Sequence, residues 1–393
     1  MRDPLTVLVA NPSADLYGSD RMMLESVRGM RERGWRVVVA MSVAGDLVPE
    51  LEATGAEVVV MSSPVVRRAH LTPSGVLTLG REIAAGMRPM WRLLGRVRPD
   101  LVYVSTVTVP LWLLLAMARR VPRVVHVHEA EASAPVARLG LALPNLLATG
   151  IIYNSETSAA VGRSGPARWV RSTVVHNGVP GPRAVTPPRE ELVGGPRLVY
   201  VGRLSPRKGV DLAVAALRQL LDEGVAGQLT LVGSVFPGYE WYEQQLRDLV
   251  AELGLVDRVR FTGFQAEVWS WLAAGDIALV PSRGDESFGN TVVEAALSAR
   301  PSIVADHTGL REASRGFASS RRVAPDAAAL AQAVRSVVEG WSQVRAEASQ
   351  DAEWAAREFA PSRYRADVTH RLETLAGHSR RRVASHERSS ELP

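Results

Sequence analysis

The sequence predicts an α/β protein built from two doubly wound, parallel-sheet domains that face each other across a cleft. Three observations predict it. Short apolar runs alternate with helical patterns along the whole chain, the pattern of parallel strands with helices on both faces. A stretch rich in proline and glycine interrupts that pattern near the middle. The length, 393 residues, suits two domains of roughly 100–200 residues each.

In the first half the apolar runs predict strands at Leu5–Asn11, Arg36–Met41, Glu57–Met61, Leu101–Ser105, Arg123–His128, Ile151–Asn154 and Thr173–His176. In the second half they predict strands at Leu198–Gly202, Gln228–Val232, Arg258–Thr262, Ile277–Pro281, Ser302–Ala305 and Arg322–Ala324. Right-handed crossovers through the intervening helices then give two Rossmann-like sheets. The stretch from Asn177 to Pro196 carries five prolines and four glycines and reads as the break between them. The expected organisation is an N-terminal domain over 1–180, a linker over 181–196 and a C-terminal domain over 197–353. A helix over 354–377 crosses back to the first domain, and a polar tail over 378–393, with Arg380, Arg381 and Arg382, is expected to be disordered.

Composition narrows the chemistry. The chain has no cysteine, which excludes disulfides, thiol catalysis and thiolate metal sites. Asp3 and Pro4 interrupt the N-terminus, so its apolar run reads as a buried strand and not a targeting signal. The run Val107–Ala118 falls short of the about 20 residues that a bilayer span needs. The expected location is the cytoplasm, with the inner face of the membrane as the docking place. The formal charge of +5 is uneven. Residues 1–188 hold 21 Arg against 14 acids, whereas residues 189–393 hold 24 Arg and one Lys against 27 acids. The basic first half suits an anionic partner such as a phosphorylated lipid or a membrane surface. No nucleic-acid partner is expected.

Lysine is all but absent, so arginine stands wherever either residue serves, and Lys208 marks a place that needs a compact ammonium. It lies in Gly202-Arg203-Leu204-Ser205-Pro206-Arg207-Lys208-Gly209, between a strand and a helix. A diphosphate at that strand end would take charge-assisted hydrogen bonds from Arg203 and Lys208. A second strand-to-helix segment, Pro281 to Ala295, holds Glu286 and Glu294. Eight residues apart on one helix, the two would lie about 12 Å along its axis and about 80° around it. Glu286 as a helix cap and Glu294 in an arginine pair is the plain alternative. The amides from Gly289 through Asn290 to Thr291 suit phosphate at a helix N-terminus. A third turn, Tyr17-Gly18-Ser19-Asp20, follows the first strand. Alternation places His126 and His128 on one strand face, where His128 suits a sugar hydroxyl better than a metal. On a helix from Arg81 to Arg98, Arg81, Arg88, Arg92 and Arg96 share one face, with Arg67 and Arg68 just before. That face reads as a solvated surface or as a docking face for anionic lipid, and Pro89 is expected to kink or restart the helix.

Together these pieces resemble the retaining glycosyltransferases of family 4, which have the GT-B fold. The resemblance runs over about residues 5–370 and is carried by Tyr17-Gly18-Ser19-Asp20, His128-Glu129, Val201-Gly202-Arg203 with Arg207-Lys208-Gly209, and Glu286-Ser287-Phe288-Gly289 to Glu294, the family's Glu-x7-Glu signature. It implies a nucleotide-sugar donor, and the basic first half suggests an acceptor of lipid-linked or envelope type. It also implies site residues. Gly18 and Ser19 would approach the diphosphate, Arg203 and Lys208 would bind it as leaving group, and Glu286 would contact the transferred sugar. Ser287, Phe288, Gly289, Asn290 and Thr291 would lie along sugar and phosphate, Glu294 on the ribose, Gly263 and Phe264 near the base, and His128 beside the sugar. The family often has Gly-Gly where this chain has Tyr17-Gly18.

Breaking a sugar–phosphate bond leaves negative charge on the diphosphate, which fixed cations stabilise. The chain has no Asp-x-Asp metal handle, so no metal and no cofactor is expected. A Gly-x-Gly-x-x-Gly dehydrogenase loop and a P-loop are absent, and the one lysine is already assigned, which argues against pyridoxal phosphate. A nucleotide-sugar epimerase of the same fold and a non-catalytic nucleotide-sugar-binding subunit remain the alternatives.

Overall fold

The computed structural model describes residues 4–14, 18–129, 144–163 and 168–390, and for Arg68, Leu71 and residues 378–390 the backbone alone. It forms two compact units. Unit 1 holds Met1–Gly178 with Pro361–Pro393, and unit 2 holds Val179–Ala360.

Unit 1 carries strands β1 (Thr6–Asn11), β2 (Arg36–Met41), β3 (Glu57–Val60), β4 (Leu101–Val104), β5 (Arg123–Val127), β6 (Gly150–Tyr153) and β7 (Ser172–Val174). They form one sheet in the order β3-β2-β1-β4-β5-β6-β7, with every pairing parallel. Its first helices are α1 (Gly18–Glu32), α2 (Leu47–Ala53), α3 (Pro73–Val97), α4 (Leu111–Ala118) and α5 (Glu156–Gly162). Both faces of the sheet are covered, which is why the strands read as unbroken apolar runs. Val7 and Val9 pack under α1, with Met23, Val27 and Met30, while Leu8 and Ala10 pack under α3 and α4, with Met90, Leu94 and Trp112. The alternation along β1 thus feeds two separate cores.

Helix α3 begins at a Thr72 cap, whose hydroxyl accepts from the Gly75 amide at 3.1 Å, and ends at Arg98 in the left-handed region. It runs unbroken through Pro89, where the sequence predicts a kink or restart. Pro89 and Ala85, whose carbonyl loses its donor, are both exposed, so that carbonyl is not stranded in a core.

Unit 2 carries β8 (Arg197–Val201), β9 (Gln228–Val232), β10 (Val259–Phe261), β11 (Ile277–Val280), β12 (Ser302–Ala305) and β13 (Arg321–Val323), in the parallel order β10-β9-β8-β11-β12-β13. Its helices are α6 (Val210–Asp222), α7 (Glu240–Glu252), α8 (Trp269–Ala274), α9 (Asn290–Leu297), α10 (Thr308–Ala313), α11 (Ala327–Glu339) and α12 (Trp341–Glu358). Each strand expected from the sequence is present, with ends shifted by a residue or two.

The boundaries differ more. The proline-rich stretch is not a free linker: it belongs to unit 2 from Val179 onward and is stapled to it. Arg189 binds Asp276 through Nε at 2.8 Å and Nη2 at 2.5 Å, and the Trp341 indole donates to the Arg189 carbonyl at 3.0 Å. Buried Arg300 donates to the carbonyls of Thr186, Leu272, Ala273, Gly275, Ser298 and Ala299 at 2.7–3.1 Å. Burial holds its pKa down, to about 10. The helix expected at 354–377 is two helices. Trp354 lies in α12, edge-on to Phe317 and Phe359 in unit 2, and α12 ends at Glu358. Pro361 disfavours a helical Ala360 and opens α13 (Pro361–Ser390), which returns to unit 1. Its backbone is helical through the segment expected to be disordered.

Arg300→Met would leave several buried carbonyls without donors. It should lower the unfolding free energy of unit 2 by roughly 2–4 kcal/mol, read as a reduced urea midpoint.

Candidate functional site

In both sheets the strand order reverses beside the first strand, between β1 and β4 and between β8 and β11. Ligands of such sheets bind outside the carboxyl ends at that switch point. In unit 2 the two loops there are Gly202–Gly209 and Pro281–Gly289, the segments that hold Lys208 and Glu286.

The loops are joined. Lys208 Nζ lies 2.8 Å from Glu286 Oε1, Arg207 Nη1 lies 3.5 Å from the same oxygen, and Ser282 Oγ donates to it at 3.0 Å. The amides of Arg283 and Gly284 donate to the Arg207 carbonyl at 2.8 and 3.0 Å. Arg283 grips Asp211 of α6 with two bonds, at 2.5 and 2.6 Å. Gly209 makes the approach possible: its φ is +65°, and a Cβ there would stand 2.1 Å from the Pro281 carbonyl oxygen. Burial pushes the Glu286 carboxyl up, but the charges of Lys208 and Arg207 and the bonds from Lys208 and Ser282 outweigh it, and its pKa lies below the ordinary range.

Arg203 is in the same loop, its guanidinium 3.1 Å over the centre of the Phe236 ring. The Gly263 carbonyl accepts from the Gly233 amide at 3.0 Å, which ties the loop after β10 to the loop after β9, and Phe264 beside it is exposed. Glu286 does not cap α9. That helix starts at Asn290 with Gly289, φ +118°, at its N-cap, so the spacing from Glu286 to Glu294 does not run along one helix. Ser287, Asn290, Thr291 and Glu294 form a half-exposed column, while Val292, Val293, Ala295 and Ala296 are buried. Thr291 Oγ1 donates to the Val201 carbonyl at 3.4 Å, which pins α9 to the end of β8. The Phe288 ring is buried, its centre 5.7 Å from that of Phe359 in the core.

In unit 1, Gly18 and Ser19 are the exposed first residues of α1. Asp20 is buried, and its carboxylate accepts from Asn11 Nδ2 at 3.0 Å and Ser13 Oγ at 2.6 Å, which anchors the helix to the end of β1. Tyr17 lies outside the described residues. His126 and His128 do share a face, with ring centres 4.1 Å apart. His126 Nδ1 lies 2.6 Å from the Tyr103 hydroxyl, which lies 3.2 Å from Ser26 Oγ, itself 2.7 Å from the Tyr364 hydroxyl on α13. Nε2 of both histidines is sealed from solvent and has no hydrogen-bond partner among the described residues. Burial lowers both pKa values, His128 to about 4. Glu129 accepts from Thr106 Oγ1 and from the His128 amide, and burial raises its pKa.

Residues that sequence reasoning missed are Ser282, His307, Thr308, Gly309, Asp211 and Phe236. His307 to Gly309 follow β12 and open a helix, the same strand-end position as the loops that were singled out. Among the described residues no three acidic or histidine side chains cluster as a metal site requires.

Two family models match the chain: "Glycosyltransferase Family 4" over residues 17–180, and "Glycosyl transferases group 1" over residues 195–340. The 2-deoxystreptamine glucosyltransferase of Streptomyces kanamyceticus is 35% identical over 169 residues, 42% of either chain. The D-inositol 3-phosphate glycosyltransferase of Nocardia farcinica is 37% identical over 147 residues, 36% of this chain and 32% of that one. The chain thus spans about two fifths or less of the length of these relatives. The Anabaena protein HepE, solved with UDP and glucose, superimposes with a TM-score of 0.75 at 22% identity, over 94% of this chain and 99% of that one. Sucrose-phosphate synthase of Thermosynechococcus elongatus gives 0.74 at 19% identity, over 96% of this chain and 100% of that one. These likenesses and the two sheets show the GT-B fold.

Two outcomes follow from the geometry. Gly209→Ala strains φ and drives Cβ into the Pro281 carbonyl, so it should cost roughly 2–3 kcal/mol of stability by urea titration. Acid should also weaken unit 1. The unfolded chain binds protons at His126 and His128 below their ordinary 6.5, while folded His128 binds one only near 4. Stability is therefore lost as pH falls through that window, because the unfolded chain takes up protons that the folded chain excludes. Glu129, shifted the opposite way, offsets part of this. His128→Gln should lessen the drop in urea midpoint between about pH 7 and about pH 5.

Proposed function

We propose that this chain, which belongs to the family 4 glycosyltransferases, transfers a sugar from a nucleotide-diphosphate donor, with retention of configuration and with cations of the protein in place of a metal. The Lys208–Glu286 pair carries the reading: it sets a compact ammonium and a carboxylate 2.8 Å apart at the switch point of unit 2. Glu286 spends one ammonium hydrogen, and the other two suit phosphate oxygens. Arg203, its guanidinium over the Phe236 ring, binds the same diphosphate. As the sugar–phosphate bond breaks, positive charge grows on the sugar beside Glu286 and negative charge on the phosphates beside Lys208 and Arg203. Glu294, on the half-exposed column of α9, takes the ribose, and the Gly263–Phe264 loop takes the base. The likeness to HepE, solved with UDP and glucose, supports a nucleotide-sugar donor.

Lys208→Ala and Glu286→Gln should each lower transfer by about 10²–10³-fold with the fold retained. Full-rate transfer by both variants would overturn the site. Thermal stabilisation by UDP, GDP and ADP, each in excess, identifies the donor class and should be lost in Lys208→Ala.

The acceptor side fits an anionic membrane. Arg81, Arg88 and Arg92 are exposed on α3 alongside exposed Val76, Leu77, Met87 and Trp91. Arg67 is exposed too, and Arg96 is partly balanced by Glu57 at 2.8 Å. The side chain of Arg68 is outside the described residues. Among these residues no helix is long and apolar enough to cross a membrane, so docking on the surface is the mode proposed. The protein should sediment with phosphatidylglycerol vesicles and stay in the supernatant with phosphatidylcholine alone. Equal recovery in both would remove the membrane from the proposal.

A further inference from the structure

The Glu286 carboxylate is held by more than cations. Four hydrogen bonds around it close into a ring that runs through the loop after β12. Glu286 N donates to Thr308 Oγ1 at 3.0 Å, Thr308 Oγ1 lies 2.9 Å from His307 Nδ1, His307 Nε2 lies 2.5 Å from the Ser282 carbonyl, and Ser282 Oγ donates to Glu286 Oε1 at 3.0 Å. A carbonyl only accepts, so Nε2 carries a proton, and in the neutral imidazole Nδ1 is then a lone pair. In that form the Thr308 hydroxyl, already an acceptor from Glu286 N, gives its hydrogen to that lone pair.

Two further observations converge on the same loop. Thr308 has φ +42°, a conformation that is a genuine outlier for a β-branched residue and persists only where surroundings impose it. Gly309 N donates to the Glu286 carbonyl at 2.9 Å, and a Cβ on Gly309 would stand 2.5 Å from the Ser287 carbonyl carbon and oxygen. Strain at one residue and a forbidden side chain at the next both serve to bring this loop against Glu286. Packing alone requires neither.

We propose that His307 and Thr308 are positioning residues for Glu286: the closed ring fixes the carboxylate in the orientation in which it meets the sugar. This rests on the reading that Glu286 contacts the transferred sugar. Neither residue touches Lys208 or Arg203 in the described contacts, so diphosphate affinity should not depend on them.

Turnover and binding separate the possibilities. UDP-glucose, ADP-glucose and GDP-mannose are offered in turn, and release of the nucleoside diphosphate is followed. Thr308→Ser keeps the hydroxyl and should stay within about threefold of the parent, whereas Thr308→Gly, which relieves φ but removes the hydroxyl, should lose tenfold or more in kcat. His307→Leu should match Thr308→Gly. The Kd for the matching nucleoside diphosphate should stay within about twofold in all three. Full turnover by folded Thr308→Gly and His307→Leu, with Glu286→Gln inactive, overturns the positioning role. Full turnover by Glu286→Gln overturns the reading beneath it. Equal losses of turnover and diphosphate affinity mean general damage to the loop and also count against the proposal.

Discussion

The ion pair between Lys208 and Glu286 is the constraint on which the two switch-point loops of unit 2 turn. Sheet order makes the loops after β8 and β11 neighbours, but neighbours of mixed charge need a reason to stay in register. Burial alone would raise the Glu286 pKa; the cations beside it hold it below the ordinary range. The pair therefore depends on closeness, and closeness depends on Gly209 and on the Arg283–Asp211 clasp. Losing one partner of such a pair leaves the other desolvated and uncompensated.

Unit 1 shows the same economy in neutral form. Its buried polar line from Tyr364 through Ser26 and Tyr103 to His126 contains no compensating charge, so its members stay uncharged. Arginine, so abundant in this chain, is likewise not confined to the surface. Arg300 is consumed by six carbonyls and Arg189 by an aspartate, and both fasten a proline-rich segment that would otherwise swing.

The strands were legible because both faces of each sheet are buried, which leaves unbroken β-branched runs in the sequence. The loops that matter were legible through Lys208, whose rarity flagged the first, and through the glutamate pair, which only the family resemblance made persuasive. What was not legible depends on contacts distant in sequence. Trp354 joins unit 2 because Phe317 and Phe359 surround it, and Phe288 turns inward because Phe359 receives it. Thr308 reaches Glu286 across 22 residues, and nothing in His307-Thr308-Gly309 itself announces a strained turn. The eight-residue spacing of Glu286 and Glu294 was real, but the helix meant to explain it begins four residues after Glu286.

Helix α13 has a consequence for how the protein is made. It packs on α1 and supplies Tyr364 to the buried line that includes Ser26. The chain leaves the ribosome from its N-terminus, at about 5–20 residues per second. Unit 2 is therefore complete in sequence once Ala360 has emerged, whereas the side of α1 that faces α13 waits for the residues after it to be translated. The half that begins first is finished last. During that interval the side of α1 that α13 covers is open to solvent.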